Sequence, residues 1–163
     1  NGDFEHEPLG GEFDWQFDQI PGSTIELGFR AGAKGKKALR VSFDDRRVPF
    51  SSVRQILVLP PGSYRLSGQG LAENLRTDLG LIWSLQCMGS ELHLADSQAW
   101  KGNSSEWQAF SVDFVVPAEQ CLAQRLQLKL PARVPSEQSI GGSVWFDAMR
   151  IQKIQRLTER NPN

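Results

Sequence analysis

Residues 141–151 read GGSVWFDAMRI, and this stretch decides the fold. Two glycines lead into an apolar run in which Trp145 and Phe146 point to opposite faces, because successive residues of a strand alternate between the two sides of a sheet. The segment therefore predicts the last strand of an all-β domain. We expect this strand to lie beside the opening residues 1–5, NGDFE, so that the two ends of the domain meet.

The same alternation continues through the rest of the chain. Phe13, Trp15 and Phe17 alternate with polar residues, which is the pattern of a half-buried strand. About eight to ten such segments are separated by proline and glycine, and no long stretch repeats with a helical period, so the pattern favours a β-sandwich or barrel. With 163 residues, we predict one domain over residues 1–154 and a charged tail at 155–163.

Three polar segments are interpreted as connections between strands. Residues 44–47, DDRR, are expected to form a charged turn. Residues 73–78 and 88–105 are expected to be loops, and one turn of helix could form within residues 118–124.

The composition argues against several classes of function. Lys and Arg total 18 against 19 Asp and Glu, so the chain lacks the basic excess of a nucleic-acid binder. No apolar run approaches the ~18 residues of a membrane span. The carboxylates are scattered in turns, and neither His6 nor His93 lies near a recognisable serine or cysteine nucleophile motif, so we predict that the domain is not an enzyme. Since the chain opens directly on a motif, we expect an excised domain or mature fragment.

Two cysteines, Cys87 and Cys121, are too few for a zinc site without clustered histidines. A disulfide between them would close a loop of about 34 residues. The alternative is a pair of buried free thiols, which behave as small apolar side chains. A disulfide would indicate an oxidising, extracytoplasmic compartment such as the periplasm or the cell surface.

The opening NGDFE, followed by Gly10, Gly11 and Trp15, resembles the start of carbohydrate-binding modules of the family 4, 9 and 22 type. The segment FDAMRI at 146–151 resembles their last strand, and residues 35–41 (GKKALRV) and 61–68 (PGSYRLSG) fit their middle strands. The resemblance implies a galactose-binding-like antiparallel jelly-roll sandwich that binds a glycan without catalysis, as part of a larger bacterial protein. The order of motifs is also similar to C-terminal modules of bacterial tetratricopeptide-repeat proteins, for which a protein partner or an architectural role is the alternative.

In that family, a glutamate of the first strand and an aspartate of the last strand often hold a structural calcium. The resemblance therefore implies Glu5 and Asp147 as calcium ligands, with Asp3 nearby, and calcium favours six to eight hard oxygen ligands. Ala148 departs from the family, which often has a second aspartate there. The alternative is that Glu5 and Asp147 are edge carboxylates bound to backbone N–H groups or arginines.

Sugar recognition needs exposed aromatic rings beside planar polar side chains, because rings stack on sugar C–H faces while hydroxyls need donors and acceptors. Trp100 lies in a polar segment and is predicted to be the best exposed platform, unless it folds under its own loop. Trp145 is expected to be half exposed. Arg65, Gln69, Gln86 and Gln127 could line one face of a sheet, the alternative being an ordinary solvated face, and Arg65 and Gln69 are predicted as the further ligand contacts.

Overall fold

The computed structural model describes residues 2–35 and 37–155. These residues form ten strands and one short 3-10 helix, Pro135–Gln138. The strands are β1 (Gln16–Phe17), β2 (Ser23–Gly28), β3 (Ala38–Arg47), β4 (Val53–Leu57), β5 (Gly62–Thr77), β6 (Ile82–Cys87), β7 (His93–Asp96), β8 (Gln108–Val116), β9 (Gln124–Lys129) and β10 (Ser139–Lys153). The described part of the chain contains no α-helix, and therefore none that could cross a membrane.

The strands form two five-stranded antiparallel sheets, which we call sheet A and sheet B. Sheet A has the order β1-β4-β9-β6-β7, and sheet B has the order β2-β3-β10-β5-β8. The predicted fold class, an antiparallel jelly-roll β-sandwich, is confirmed. Each sheet turns its alternating apolar side chains toward the other, which is why period-two alternation was visible in the sequence.

The last strand, β10, lies in the middle of sheet B and pairs with β3 on one side and β5 on the other. The opening residues lie against it, since the Met149 N–H donates a hydrogen bond to the Gly2 carbonyl over 2.9 Å. The expected meeting of the two ends is thus present, although residues 2–15 form no strand of their own.

A chain of aromatic rings fills the space between the sheets. Phe4 is fully buried, with its ring centroid 5.3 Å from that of Trp15, which in turn lies 5.8 Å from Trp83. Trp83 contacts Phe146 of β10 at 5.1 Å. The opening segment, sheet A and the last strand therefore share one core.

The boundaries of several strands differ from the sequence predictions. Residues 44–47 are not a turn, because β10 pairs with them and extends β3 to Arg47. Asp45, at φ 62°, lies beside the irregularity where that pairing shifts register. Residues 73–77 belong to β5, again paired with β10, and β7 interrupts the predicted loop at 88–105. No helical turn forms within residues 118–124.

Cys87, at the end of β6, is joined to Cys121 by a disulfide with a Cα–Cα distance of 5.1 Å. The bond links the C-terminal end of β6 in sheet A to the segment just before β9. Of the charged tail predicted at 155–163, only Gln155 falls within the described residues.

Candidate functional site

The outer face of sheet A, which we call the open face, carries a row of polar side chains in register. Gln16 of β1 is paired with Arg54 of β4, Arg54 with Gln127 of β9, Gln127 with Ser84 of β6, and Ser84 with Asp96 of β7. Side chains at such paired positions lie about 5 Å from their neighbours on the same face. The row therefore crosses all five strands.

Part of the open face is covered by its own side chains. Ser84 and Ile82 of β6 point away from the core, yet they are only 2% and 9% exposed. Ser84 is small and stands between the longer Gln127 and Asp96 of the neighbouring strands. The polar atoms that the row offers to solvent therefore belong to its longer side chains.

Asp96 is held as a carboxylate at the edge of the open face. Burial alone would raise the pKa of Asp96, but its hydrogen bond with His93 and the neighbouring Ser84 hydroxyl outweigh burial, and the charges of His93 and Lys129 act in the same direction. The pKa of Asp96 therefore lies below its usual range. The buried Ser84 Oγ forms no hydrogen bond of normal geometry among the described residues.

On the outer face of sheet B, by contrast, a loop covers the part around Trp145. Residues 29–35 fold across it and enclose a second small apolar cluster of Ala38, Leu71 and Trp145, with Ala33 and Trp107 packed against it. The Trp107 indole N–H donates to the Ala31 carbonyl over 2.8 Å. We call residues 29–35 the covering loop.

Two of the predicted aromatic contacts are not exposed. Trp100 is 2% exposed, because the strand-like bridge of its backbone to Leu81 turns the ring into the main core, 5.4 Å from the rings of both Phe110 and Phe146. The prediction of an exposed platform at Trp100 is wrong. Trp145 was expected to be half exposed, but the covering loop leaves it 7% exposed, and its indole N–H donates to Glu73.

The two predicted polar contacts lie on the outer face of sheet B, at different places. Arg65 makes a two-pronged contact with Asp113, at 2.7 and 3.0 Å, which lowers the pKa of that carboxyl group and raises the pKa of the guanidinium. Gln69 lies opposite Asp147, and its amide N–H reaches the Gly32 carbonyl of the covering loop over 3.5 Å. Arg65, Gln69 and Trp145 share a sheet face, and Trp100 does not belong to it.

The three predicted calcium ligands are gathered where the covering loop meets the opening segment. Asp147 is fully buried; its Oδ2 accepts the Lys34 N–H over 2.7 Å, and its Oδ1 has no hydrogen-bond partner among the described residues. Burial raises the pKa of Asp147, the charges of Asp3 and Glu5 raise it further, and backbone N–H groups oppose the shift. Glu5 accepts the Lys37 N–H over 3.1 Å.

The surroundings of Asp147 suit a cation in part. Gly35, at φ +97°, brings its backbone so close to Glu5 that an added Cβ would lie 2.1 Å from Oε1. However, no three Asp, Glu, His or Cys side chains within residues 2–35 and 37–155 are grouped to hold a metal by themselves. A calcium ion here would therefore need backbone carbonyl oxygens in addition to the carboxylates.

Sequence reasoning predicted a polar face with Gln86 and Gln127 but joined them to Arg65 and Gln69. The structure places Gln86 and Gln127 on sheet A and Arg65 and Gln69 on sheet B. The row as a whole was missed, because its residues belong to five segments and only the strand register places them side by side.

The fold resembles those of solved carbohydrate-binding modules. It matches the second family 22 module of Paenibacillus barcinonensis Xyn10C, described as a xylan-binding domain, with a TM-score of 0.66 and 16% identity, over 94% of this chain and 98% of the other. A family 4 module matches with a TM-score of 0.63 and 16% identity, also over 94% and 98%. This chain has a carbohydrate-binding-module-like fold.

A third match to the carbohydrate-binding-module-like fold is the C-terminal family 22 module of Clostridium thermocellum Xyn10B. Its TM-score is 0.59 at 15% identity, over 97% of this chain and 94% of the other. No family model and no curated protein matches the sequence. The resemblance to family 4 and 22 modules seen in the opening and closing motifs is thus confirmed at the level of fold.

Proposed function

We propose that this carbohydrate-binding-module-like domain is a non-catalytic glycan-binding module, and that the open face is its recognition surface. The observation that carries the proposal is the row of Gln16, Arg54, Gln127, Ser84 and Asp96 across sheet A. A polysaccharide lying across the strands would present hydroxyls in turn to the members of this row that reach solvent, Gln16, Arg54, Gln127 and Asp96.

Neighbouring groups hold the long side chains of the row in place. The Arg54 Nε–H donates to Gln16 Oε1 over 3.1 Å, and Arg54 also pairs with Asp18. Gln127 donates its amide N–H to the Ser51 carbonyl over 2.8 Å. Side chains fixed before binding lose less rotamer entropy when a ligand arrives, which favours affinity.

The protonation state of Asp96 supports binding rather than hydrolysis. A general acid for glycoside cleavage needs a raised pKa, so that it carries a proton near neutral pH. Because the pKa of Asp96 is lowered, this residue remains a carboxylate and accepts hydrogen bonds. We therefore assign the row to recognition.

Polysaccharide binding by two open-face variants and one control variant tests the proposed surface. Gln127→Ala and Arg54→Ala change the open face, whereas Arg65→Ala changes the outer face of sheet B. On a glycan array followed by calorimetry, with soluble xylan as the first probe, each open-face variant should lose about three- to tenfold in affinity, since a hydrogen bond is worth about 1 kcal/mol. Arg65→Ala should bind like the original chain.

The opposite pattern contradicts the assignment. If Gln127→Ala and Arg54→Ala both bind as the original chain while Arg65→Ala does not, the recognition surface lies on sheet B. If no glycan binds at all, the protein-partner or architectural role predicted as the alternative replaces the proposal.

We also propose that a calcium ion is bound by Asp147 and Glu5, with Asp3 close by and backbone carbonyl oxygens completing its ligands. The support is the unpartnered Oδ1 of a fully buried carboxylate, because leaving a buried charge without a partner is costly. When bound, the ion supplies positive charge that neutralises this group of acids. It would also connect the covering loop to the opening segment. The Lys34 N–H of the covering loop donates to Asp147, and the Lys37 N–H, just after that loop, donates to Glu5 of the opening segment.

Thermal unfolding in calcium and in chelator measures this effect. Calcium at about one hundred times its Kd should add about 2.7 kcal/mol to the free energy of unfolding. Asp147→Asn should abolish that gain, whereas Asp113→Asn, an exposed aspartate on the same sheet face, should keep it. A melting temperature that is the same in calcium and chelator would remove the metal from the proposal.

We propose an extracytoplasmic location, such as the periplasm or the cell surface. The support is the disulfide between Cys87 and Cys121, because such bonds persist mainly in oxidising compartments. Membership of a larger bacterial protein and the absence of nucleic-acid binding remain predictions from the sequence.

A further inference from the structure

A second cleft lies on the outer face of sheet B, beside the covering loop. Its volume is about 540 Å³, and it is bordered by the opening segment, β5, β8 and β10. We propose that this cleft binds a sugar carrying a carboxylate, such as a uronic acid. The inference rests on the proposed glycan-binding function but uses the opposite sheet from the open face.

The cleft exists because β10 carries a bulge. Asp147 is paired with Gln69 and Arg150 with Ser67, so three steps along β10 match only two along β5. The extra residue brings Ala148 to φ 51°, and the Met149 N–H turns to the Gly2 carbonyl. A bulge parts neighbouring strands and redirects side chains.

Two cations border the cleft from different elements. Arg150 stands on the bulged strand, and Lys34 comes from the covering loop. Neither forms an ion pair within the described residues, whereas Arg65, on the same sheet face, is held by Asp113. Both Arg150 and Lys34 are exposed and can therefore meet an anionic ligand.

The charges of the cleft favour an anion. Asp3 is the one acidic residue among its lining residues, against Arg150 and Lys34. Glu5 and Asp147 lie near Asp3 outside the lining, and the calcium ion proposed above would neutralise them. A guanidinium matches a carboxylate with two parallel hydrogen bonds, and such charge-assisted bonds are stronger than neutral ones. Asp3 would then accept a sugar hydroxyl.

The rest of the lining suits the body of a sugar ring. Ligand pockets commonly have volumes of about 300–1,000 Å³. Ala109 is exposed and offers apolar surface for the C–H face of a ring, whereas Phe110 and Met149 close the cleft toward the main core and are buried. Ser67 and Gln69 offer hydroxyl and amide groups for the sugar hydroxyls. The cleft is thus divided between apolar contact and hydrogen bonding, as a carbohydrate requires.

Titration with two methyl glycosides that differ only in the carboxylate tests the inference. Methyl β-D-glucuronide and methyl β-D-glucoside would be added to the isotope-labelled chain, with amide shifts followed by NMR. The glucuronide should shift the amides of Ala109 and Ala148 and bind at least about tenfold more tightly than the glucoside. Raising the salt concentration should weaken the glucuronide, because exposed charges are screened.

Single substitutions then identify the cations. Arg150→Gln and Lys34→Gln should each reduce glucuronide affinity about tenfold or more. Lys153→Gln removes the same charge from the same strand outside the cleft and should bind as the original chain.

The outcomes separate this inference from the proposed function. Glucuronide binding that survives both Arg150→Gln and Lys34→Gln overturns the inference. The inference is also overturned if the glucuronide does not bind while xylan still binds through the open face. That result would not contradict the proposed glycan-binding function. If neither ligand binds, both are overturned.

Discussion

The two outer faces of the sandwich belong to similar five-stranded sheets, but within the described part of the chain a loop packs on one of them and not on the other. The open face of sheet A leaves the long polar side chains of its row uncovered, although Ser84 among them is buried. On the outer face of sheet B, residues 29–35 cover the part that contains Trp145, and Lys34 of this loop binds Asp147. An aromatic residue that points outward from a sheet is therefore not available for binding where a loop packs over it, as residues 29–35 do over Trp145.

Both faces depend on the common core, so the largest effect should come from a residue between the sheets. Trp100→Ala should cost about 3–5 kcal/mol of unfolding free energy, because it leaves a cavity beside Phe110 and Phe146. Urea unfolding followed by fluorescence and by circular dichroism measures the loss. Trp100→Phe should cost clearly less, since it keeps a ring and removes an N–H that has no acceptor among the described residues.

A loss of glycan binding in folded Trp100→Phe, without a loss of stability, would contradict the assignment of Trp100 to the core. It would instead return the residue to the recognition surface.

The disulfide belongs to the sheet A side and should have the next largest effect. Cys87→Ala with Cys121→Ala should lower the free energy of unfolding by about 3–4 kcal/mol, because opening the cross-link restores chain entropy to the unfolded state. Unfolding with and without reductant measures this loss in the original chain. The double variant is the control, since reductant should not change it further.

The covered face should respond to a smaller change at Trp145. Trp145→Phe removes the indole N–H that donates a hydrogen bond to Glu73, and a hydrogen bond to a charged group is worth about 1.5–3 kcal/mol. Amide hydrogen exchange should quicken in residues 29–35 while the amides of β6 and β9 keep their rates. Equal acceleration in both sheets would show that the covering loop is not a separate unit of stability.

The smallest predicted effect distinguishes the two faces by pH. Because the folded-state pKa of Asp96 is lowered, its carboxylate stabilises the fold above its ordinary pKa, and this contribution is lost as the pH falls through the folded value. The stability difference between the original chain and Asp96→Asn should therefore be under about 1 kcal/mol at neutral pH and vanish in acid. Chemical unfolding across this pH range measures the difference.

Asp113→Asn on sheet B should give a difference of the same sign, since Arg65 lowers the pKa of Asp113. Its contribution should be more sensitive to salt, because Asp113 and Arg65 are exposed. A stability difference that grows as the pH falls would contradict the assignment at either site.

Much of this fold could be predicted because alternation is local. The inward direction of residues such as Leu126 and Leu128 is predicted by the polar residues on either side of them, and the same alternation in residues 141–151 indicates the last strand. The exposure of Trp145 could not be predicted, because it depends on a loop more than a hundred residues earlier in the chain. The open-face row could not be predicted either, because it depends on the register between Arg54, Gln127 and Ser84.

The position of β10 also affects how the molecule is made. This strand, Ser139–Lys153, separates β3 from β5, both of which are complete much earlier in the chain. Until the ribosome has released it, those two strands have bare edges that can pair with other chains. A nascent chain halted before Ser139 should therefore need a chaperone, and fast folding should begin only once that strand has emerged.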